Sequence, residues 1–360
     1  MIFFYFWISY LLLWIFLIIG KSFNRKSHLN RVKNPGNSSK SFISVIIAFQ
    51  NEAEHLNNLF RSLENQTLNG TFFEIIWIND RSTDNGPEII NDKMRHLPNQ
   101  KLVSIKDLPA GGRGKRNAIE VGIQASRGDV LVFTDGDCIV PATWLKNIFE
   151  LFNDHGMDIY AGSIIKKSPG ILGRMINIEQ GLHNTFAESF FGYKIPVLGF
   201  GANWAVKKEL FDRAGGFSGT SGSLSGDDDL SMQRISKLCQ SFYWDFENPV
   251  NTVGPGSWAI WYRQKRRHLG AAINYRIYAK LFYALYHLIQ LILLAGLFVG
   301  GLPQLVFAGK YLTDLFLIKS DNSKQKYHKR IIEVFLFQFY YVFENWIIGI
   351  SAFLFPVKRW

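Results

Sequence analysis

Short runs of apolar residues alternate with helical patterns from residue 42 to about residue 134. The runs at 43–49, 73–78, 101–105 and 130–134 each have the length of a buried strand. Buried strands that alternate with helices are typical of a parallel, doubly wound sheet. The pattern therefore predicts an α/β fold for this part of the chain.

Longer apolar segments lie on both sides of this region. Residues 2–19 carry no charge and are long enough to cross a bilayer. A cleaved signal peptide would have a basic leader, a shorter apolar region and a small-residue cleavage site, and the segment shows none of these. We therefore expect a retained membrane anchor.

The chain becomes apolar again after residue 281. Gly300-Gly301-Leu302-Pro303 is typical of a hairpin turn, and Lys310 and Asp314 weaken the half that follows it as a membrane span. The last apolar segment, 331–355, is interrupted by Glu333 and Glu344, so it could cross the membrane, re-enter it or lie in its interface. Two to three hydrophobic segments are expected here, with the topology open.

These patterns divide the chain into five parts. An interfacial region is assigned from Trp258, Trp261 and Tyr262, which precede a basic run and are typical of aromatic anchors beside snorkelling cations. The expected division is a transmembrane helix at 1–20, a basic linker at 21–41, an α/β domain at 42–245, the amphipathic interfacial region at 246–280 and a membrane region at 281–355.

The net charge of +11 is concentrated beside the apolar segments. By the positive-inside rule, the basic residues after the first segment predict that the next domain lies in the cytoplasm. Nucleic-acid binding is the rival explanation; we disfavour it because attraction to anionic lipid headgroups explains charges that flank apolar segments. With only Cys138 and Cys239, a disulfide scaffold and a cysteine-based zinc site are excluded. The basic clusters are Lys21, Arg25, Lys26, Arg31 and Lys33, and Lys319, Lys324, Lys326, Lys329 and Arg330.

Acidic residues follow several of the predicted strands. Because the carboxyl ends of parallel strands share one edge of a sheet, these side chains can converge on one cleft. Any single member is more often a helix cap or a turn residue than a ligand contact, so the argument depends on the set. The acids are Glu52 after the first strand, Asp80 and Asp84 after the second, and Asp135 and Asp137 after the fourth.

Two segments predicted at this edge have a chemistry of their own. Asp135-Gly136-Asp137 offers paired oxygen ligands that suit Mg²⁺ or Mn²⁺ holding a diphosphate, although Asp-Gly is also an ordinary turn dipeptide. The segment 110–117 combines glycines, which allow close backbone approach, with Lys115 and other basic donors for phosphate oxygens. It lacks the Gly-Lys-Ser/Thr ending of a P-loop. Beside the acids, phosphate contact is its better interpretation.

The order of these segments resembles the signatures of family 2 glycosyltransferases with the GT-A fold, and is similar to bacterial cellulose and hyaluronan synthase-like transferases. The resemblance continues with a small-residue turn, a Gly-Gly-Phe segment, an acidic run and a motif similar to the Gln-x-x-Arg-Trp of membrane-bound synthases. The matching segments, within roughly residues 42–268, are Val45–Glu52, Asn79–Asp84, Gly114–Ala118, Asp135–Asp137, Gly199–Ala205, Phe211–Phe217, Gly226–Leu230 and Gln264–His268.

The resemblance implies donor-side roles for several residues. The nucleoside would be contacted by Glu52 and Asp80, and its base by the backbone of Ala48. Lys115 would lie near the nucleotide or its phosphates, Asp135 at the ribose or in the metal shell, and Asp137 would be a ligand of Mg²⁺ or Mn²⁺.

On the acceptor side, the resemblance implies that Asp228 is the catalytic base and that Asp227 positions it or the acceptor. The alternative for this acidic run is a cap at the entrance of the next helix, and both can hold. Gln264 and Arg267 would hold the diphosphate or the acceptor near the membrane. His268 replaces the usual Trp of the motif, which makes a long-chain polymerase less certain.

The expected protein is a multi-pass cell-membrane glycosyltransferase, metal-dependent and of the hexosyltransferase type, with its catalytic domain in the cytoplasm. It would move a sugar from a UDP- or GDP-sugar, with inversion, to a lipid-linked or polysaccharide acceptor in the synthesis of envelope polysaccharide or glycolipid. Inverting transfer needs a base for the acceptor hydroxyl and charge compensation for the leaving diphosphate. Two alternatives stay open: a processive polysaccharide synthase, and a catalytically silent membrane subunit that binds nucleotide.

Overall fold

A seven-stranded sheet forms the centre of the molecule, for which a computed structural model describes residues 1–29, 41–95, 99–107, 114–217, 227–320 and 331–355. The strands are β1 (Ile43–Phe49), β2 (Phe73–Asp80), β3 (Gln100–Ile105), β4 (Val130–Asp135), β5 (Ile159–Lys167), β6 (Trp204–Lys207) and β7 (Phe242–Val253). The helices are α1 (Ile2–Leu29), α2 (Ala53–Glu64), α3 (Gly86–Met94), α4 (Gly114–Gln124), α5 (Trp144–His155), α6 (Gly170–Gly192), α7 (Lys208–Arg213), α8 (Asp227–Ile235), α9 (Trp258–Ala271), α10 (Ile277–Val299), α11 (Leu302–Ser320), α12 (Ile331–Val342) and α13 (Gly349–Leu354), and a π turn at Phe343–Ile348 joins the last two.

The strand order is β3-β2-β1-β4-β6-β5-β7. The strands β3, β2, β1 and β4 are mutually parallel, β6 runs antiparallel to both of its neighbours, and β7 is parallel to β5. Every residue of β1 and β2 is buried, because helices cover both faces of a sheet built from such continuous apolar runs. The predicted α/β class with a mostly parallel sheet is confirmed.

Helix α4 approaches the sheet very closely at Gly122. A Cβ atom at this position would lie 2.7 Å from Ile46 Cγ2 and 2.7 Å from Ile78 Cδ1. Only glycine allows this separation, and the close approach brings the first turn of α4 to the carboxyl edge of β1 and β2.

We expect Gly122→Val to lower the free energy of unfolding by about 1–3 kcal/mol, because the added methyl groups would push α4 away from the sheet. Unfolding of the purified chain, induced by heat or by a chemical denaturant, measures the change. Gly270→Val is the matched control, since a Cβ at this helical glycine meets nothing within 4 Å. Equal stability of the two variants would contradict the prediction.

Three helices in the described part of the chain are long and apolar enough to cross a membrane: Ile2–Ser27, Ile277–Val299 and Ile331–Ala352. They share a second hydrophobic core with α6, to which Tyr10, Phe186, Tyr286 and Tyr341 contribute. This second core is separate from the first one, which the strands of the sheet form with the helices that cover them.

Two predicted boundaries are wrong. Helix α1 continues to Leu29, so the linker cannot begin at residue 21; Lys21 and Arg25 bind Glu188 of α6 at 3.4 and 2.9 Å and keep this part helical. Residues 30–40 lie outside the described residues. The domain boundary at 245 falls inside β7, which stays paired with β5 as far as Val253.

The two charges that weaken α11 as a membrane span are buried in pairs. Lys310 lies 2.8 Å from Asp314 and donates to Gln338 of α12, and Tyr10 of α1 donates to Asp314. The predicted turn before this helix lies at Gly300 and Gly301, whose φ angles of 86° and 61° suit glycine.

Candidate active site

Hydrogen bonds join the loops that follow β1 and β2. Asn51 accepts the backbone N–H of Thr83 at 2.8 Å, and Asp84 accepts the N–H groups of Ala53 and Gly86 at 2.9 and 3.1 Å. Asp84 therefore caps the starts of α2 and α3. The loops hold Glu52 and Asp80 at the carboxyl edge of the sheet.

The Asp135-Gly136-Asp137 turn lies beside these loops. Ala48, near the end of β1, is in register with Asp135 at the end of β4. A Cβ at Gly136 would lie 2.9 Å from Phe49 Cβ, so glycine is needed for the turn to pack against β1. This packing directs the two flanking carboxylates to the sheet edge.

Lys115, in the first turn of α4, binds the turn directly. Its Nζ lies 2.6 Å from Asp135 Oδ1. The preceding Gly114 lies against Asp80, since a Cβ there would be 3.0 Å from Asp80 Oδ2. Asp80 also pairs with Arg81 at 2.8 Å. Thus Lys115, Asp80 and Asp135 are brought together, as the sequence predicts.

Asp228 reaches the same cleft from α8. Its Oδ2 accepts the N–H of Gly201 at 2.6 Å, and the neighbouring Asp229 accepts the N–H of Gly199 at 2.8 Å and the hydroxyl of Tyr275 at 2.5 Å. Asp229 is therefore fixed on two sides and holds the start of the helix. Asp227 begins α8, but its side chain lies outside the described part of the structure.

The charges of the cleft act on one another. Burial and then the carboxylates of Asp137 and Asp135 raise the pKa of Glu52 to about 7. Burial and Asp135 also raise the pKa of Asp137. Burial lowers the pKa of Lys115, but Asp135, Asp228 and Asp137 together raise it above its usual range. One ammonium group therefore interacts with acids from two separate segments of the chain.

The pKa of Asp228 is also raised, chiefly by burial, while Lys115 and the N–H groups of Asp229 and Gly201 oppose the shift. A carboxylate with a raised pKa is a stronger proton acceptor than an exposed one. The geometry therefore suits Asp228 to remove a proton from a bound hydroxyl.

Thr252 of β7 is a member of the site that the sequence does not reveal. Its hydroxyl donates to Asp137 Oδ2 at 3.1 Å. A β-bridge between Ile139 and Asn251 holds the two segments together, with N–H to oxygen distances of 2.8 and 3.0 Å. Thr252 carries no charge and lies 115 residues from Asp137, so no local pattern links them.

If Asp137 binds a divalent cation, as the sequence predicts, Thr252→Val, which keeps the shape but removes the hydroxyl, should weaken the affinity for that cation by about 10-fold, as loss of a group that orients a metal ligand does. The measurement is the Mn²⁺ concentration needed for half-maximal activity. Thr143→Val is the control, because Thr143 hydrogen-bonds Asn248 at an exposed position. An unchanged Mn²⁺ requirement in Thr252→Val would contradict the role of this hydroxyl.

Helix α9 carries Gln264 and Arg267 and lies beside the cleft. Gln264 is exposed and Arg267 is half-buried. The adjacent His268 keeps part of its surface exposed to water. Its pKa is nevertheless held well below the usual range, because the surrounding protein desolvates the imidazole and because the positive charges of Arg267, Lys166, Lys265 and Lys115 lie nearby. Lys166 is in register with Thr252, so both side chains lie on the face of the sheet that carries the site.

Asp135 and Asp137 can contribute oxygen ligands to a divalent cation. Among the residues that the structure describes, no group of three or more His, Cys, Asp or Glu side chains is arranged to hold a metal ion. Mg²⁺ commonly uses only one or two protein carboxylates, with phosphate oxygens and water in the other positions. The donor set and the raised pKa of Asp137 fit such a cation.

The fold is that of a GT-A glycosyltransferase, and the chain belongs to the family 2 glycosyltransferases. The pattern of "Glycosyl transferase family 2" matches residues 44–215, and that of "Glycosyl transferase family group 2" matches residues 130–355. The second match covers more than half of the chain and includes Asp135, Asp137 and Asp228 of the site, α9 and the two candidate membrane helices that follow α9.

Individual proteins agree with this assignment. The chain is 26% identical to the "Probable glycosyltransferase YdaM" of Bacillus subtilis over 62% of its length, and 30% identical to "Glycosyltransferase AglE" of Haloferax volcanii over 35%. It spans 54% and 40% of these relatives. The structure of the mannosyltransferase PcManGT of Pyrobaculum calidifontis, in complex with GDP-Man and Mn²⁺, shares the fold with a TM-score of 0.62 and 17% identity, over 96% of this chain and 95% of that one.

Proposed function

We propose that the chain transfers a sugar, with inversion, from a nucleotide-sugar to an acceptor hydroxyl at the membrane surface. The observation that carries this proposal is the convergence of Asp228 with Lys115 and the Asp135-Gly136-Asp137 turn. Inverting transfer needs a proton acceptor and a group that binds phosphate. The cleft offers both, on separate elements of the fold.

The donor would lie along the carboxyl edge of the sheet. Glu52, Asp80 and the backbone of Ala48 would contact the nucleoside, and Lys115 would donate to a phosphate oxygen in exchange for its present bond to Asp135. Because Lys115 already interacts with Asp228, a phosphate held there stands close to the base. Asp228 would remove the proton of the acceptor hydroxyl as its oxygen attacks the anomeric carbon and the diphosphate leaves.

Asp137 and Asp135 would hold Mg²⁺ or Mn²⁺ in this reaction. When bound, the cation compensates the charge of the leaving diphosphate as a Lewis acid. The PcManGT structure is a complex with GDP-Man and Mn²⁺, which supports a divalent metal and a GDP-sugar as the first ones to test. Gln264 and Arg267 would face the diphosphate or the acceptor from α9.

The acceptor would reach the cleft from the membrane. Three helices long enough to span a bilayer share a core with α6, and α9 connects this core to the site. The basic residues that follow the first apolar run, from Lys21 to Lys33, support a cytoplasmic position of the catalytic domain by the positive-inside rule. A lipid-linked or polysaccharide acceptor fits a site that is connected in this way to the candidate membrane helices.

The test is a screen of nucleotide-sugars with the full chain in detergent or nanodiscs. Release of a nucleoside diphosphate from at least one donor, dependent on Mn²⁺ or Mg²⁺, is expected, and the product glycoside should have the inverted anomeric configuration. Metal-dependent nucleotide binding without turnover on any donor would instead support a silent nucleotide-binding subunit. Retention of configuration would overturn the role of Asp228.

A further inference from the structure

A hydrogen-bonded network joins α9 to the last apolar segment. The indole N–H of Trp261 donates to the Tyr340 hydroxyl at 2.9 Å, and this hydroxyl donates to Glu179 Oε2 at 2.8 Å. Lys265 donates to Glu179 Oε1 and lies 2.5 Å from Glu344 Oε1. Residues 261 and 265, like residues 340 and 344, are four positions apart, so each pair occupies one side of its segment. Two turns of α9 are thereby tied to the facing segment, with Glu179 of α6 between them.

The network is buried, so its members fix one another. Glu179 and Glu344 are 3% and 1% exposed, and Lys265 is the cation that contacts both. Removing one member of a buried, hydrogen-bonded charge set leaves a charge without compensation. The side chain of Lys265, and with it the rotation of α9, is therefore strongly constrained.

The residues of α9 that border the cleft lie within one turn of Lys265. Gln264 precedes it, Arg267 and His268 follow it, and His268 interacts electrostatically with Lys115 and Lys166. Glu344 itself lies in the π turn Phe343–Ile348, a distortion that is frequent at functional positions. The network thus connects a candidate membrane-spanning segment to the wall of the cleft.

We propose that Glu344 is a positioning residue of the transfer site, which through Lys265 sets the rotation of α9 and so the placement of Gln264 and Arg267 against the substrate. The inference rests on the proposed function, because those two residues are assigned to the diphosphate or acceptor there. It adds that the last apolar segment is part of the substrate-binding machinery and not only an anchor.

The test compares Glu344→Gln with the parent chain in nanodiscs, using the nucleotide-sugar that the donor screen identifies. Glutamine keeps the size of the side chain but removes the carboxyl group whose Oε1 lies 2.5 Å from Lys265. We expect the KM for the donor to rise about 10-fold, with kcat within about twofold, because Arg267 would be misplaced while the base is untouched.

Glu333→Gln is the matched control. Glu333 lies in the same segment, is also buried, at 7% exposure, and pairs with Arg174 of α6 at 3.3 Å. If Glu344 only docked the helix in the membrane, both variants would change KM alike, and this result would overturn the inference. So would an unchanged KM in Glu344→Gln, or a loss confined to kcat.

A second variant covers the case in which Glu344→Gln does not fold. Trp261→Phe keeps the packing of α9 but removes the N–H that reaches Tyr340, and we expect the donor KM to rise about threefold. A donor KM equal to that of the parent chain would overturn the inference. Absence of donor turnover in the parent chain is a different result, since it contradicts the proposed function without any variant.

Discussion

Asp228→Asn is expected to abolish sugar transfer while nucleotide binding survives. The amide oxygen of asparagine can still accept the N–H of Gly201, which Asp228 Oδ2 accepts at 2.6 Å, so the start of α8 should keep its place. The amide cannot take a proton from the acceptor hydroxyl. Loss of a general base typically costs about 10²- to 10⁴-fold in rate, and we expect a loss in this range.

Two measurements separate chemistry from binding in this variant. Initial rates of transfer give kcat, and calorimetric titration with the nucleoside diphosphate and Mn²⁺ gives affinity without turnover. Asp92→Asn is the control, because Asp92 is an exposed aspartate on α3 that contacts Arg95, the residue that caps the end of this helix. Undiminished transfer by Asp228→Asn would place the base elsewhere, and an equal loss of nucleotide affinity would make Asp228 a donor-binding residue.

Four of the seven strands, β1 to β4, could be predicted from the sequence because each contains a short apolar run, whereas the sequence pattern does not predict β5, β6 and β7. The strands β1, β2 and β4 are short apolar runs, each followed by polar residues, and their parallel arrangement follows from the helices between them. The convergence of Glu52, Asp135 and Lys115 followed from the same reasoning, since strand ends share an edge. The structure brings these residues together as predicted.

Other parts of the site could not be predicted, because they depend on contacts between distant segments. Thr252 reaches Asp137 only because β7 crosses to pair with β5 and with residue 139. Nothing in its own neighbourhood distinguishes it from an ordinary strand threonine. Glu344 reads in the sequence as an interruption of an apolar segment, and only the tertiary packing shows that it faces Lys265.

The acidic run at 227–229 shows how the two readings of one motif can be separated. Asp229 is bound by Gly199 and Tyr275, which is the structural, cap-like role. Asp228 faces the cleft and interacts with Lys115. The cap-like role therefore belongs to Asp229, and the catalytic role of Asp228 stays a prediction.

Asp137→Asn is expected to have opposite effects on activity and on the stability of the metal-free protein. Burial and the nearby Asp135 make the charge of Asp137 unfavourable, as its raised pKa shows, and Lys115 binds Asp135 instead. Asparagine removes that charge and can still accept the Thr252 hydroxyl. Without metal, the variant should therefore unfold at a temperature equal to or above that of the parent chain.

With Mn²⁺ and a nucleoside diphosphate present, the variant should unfold at a lower temperature than the parent chain. Ligand that binds the folded state raises the unfolding temperature, and the rise grows with the logarithm of the ligand concentration divided by Kd. Loss of the carboxylate should weaken metal-dependent nucleotide binding by at least about 100-fold. Thermal unfolding of both proteins, with and without Mn²⁺ and nucleotide, measures the two effects in one experiment. A general folding defect would lower both temperatures, whereas a metal-ligand role predicts a variant that is stable alone and unresponsive to the cation. A variant that keeps the full Mn²⁺-induced stabilisation would show that the cation is held without Asp137.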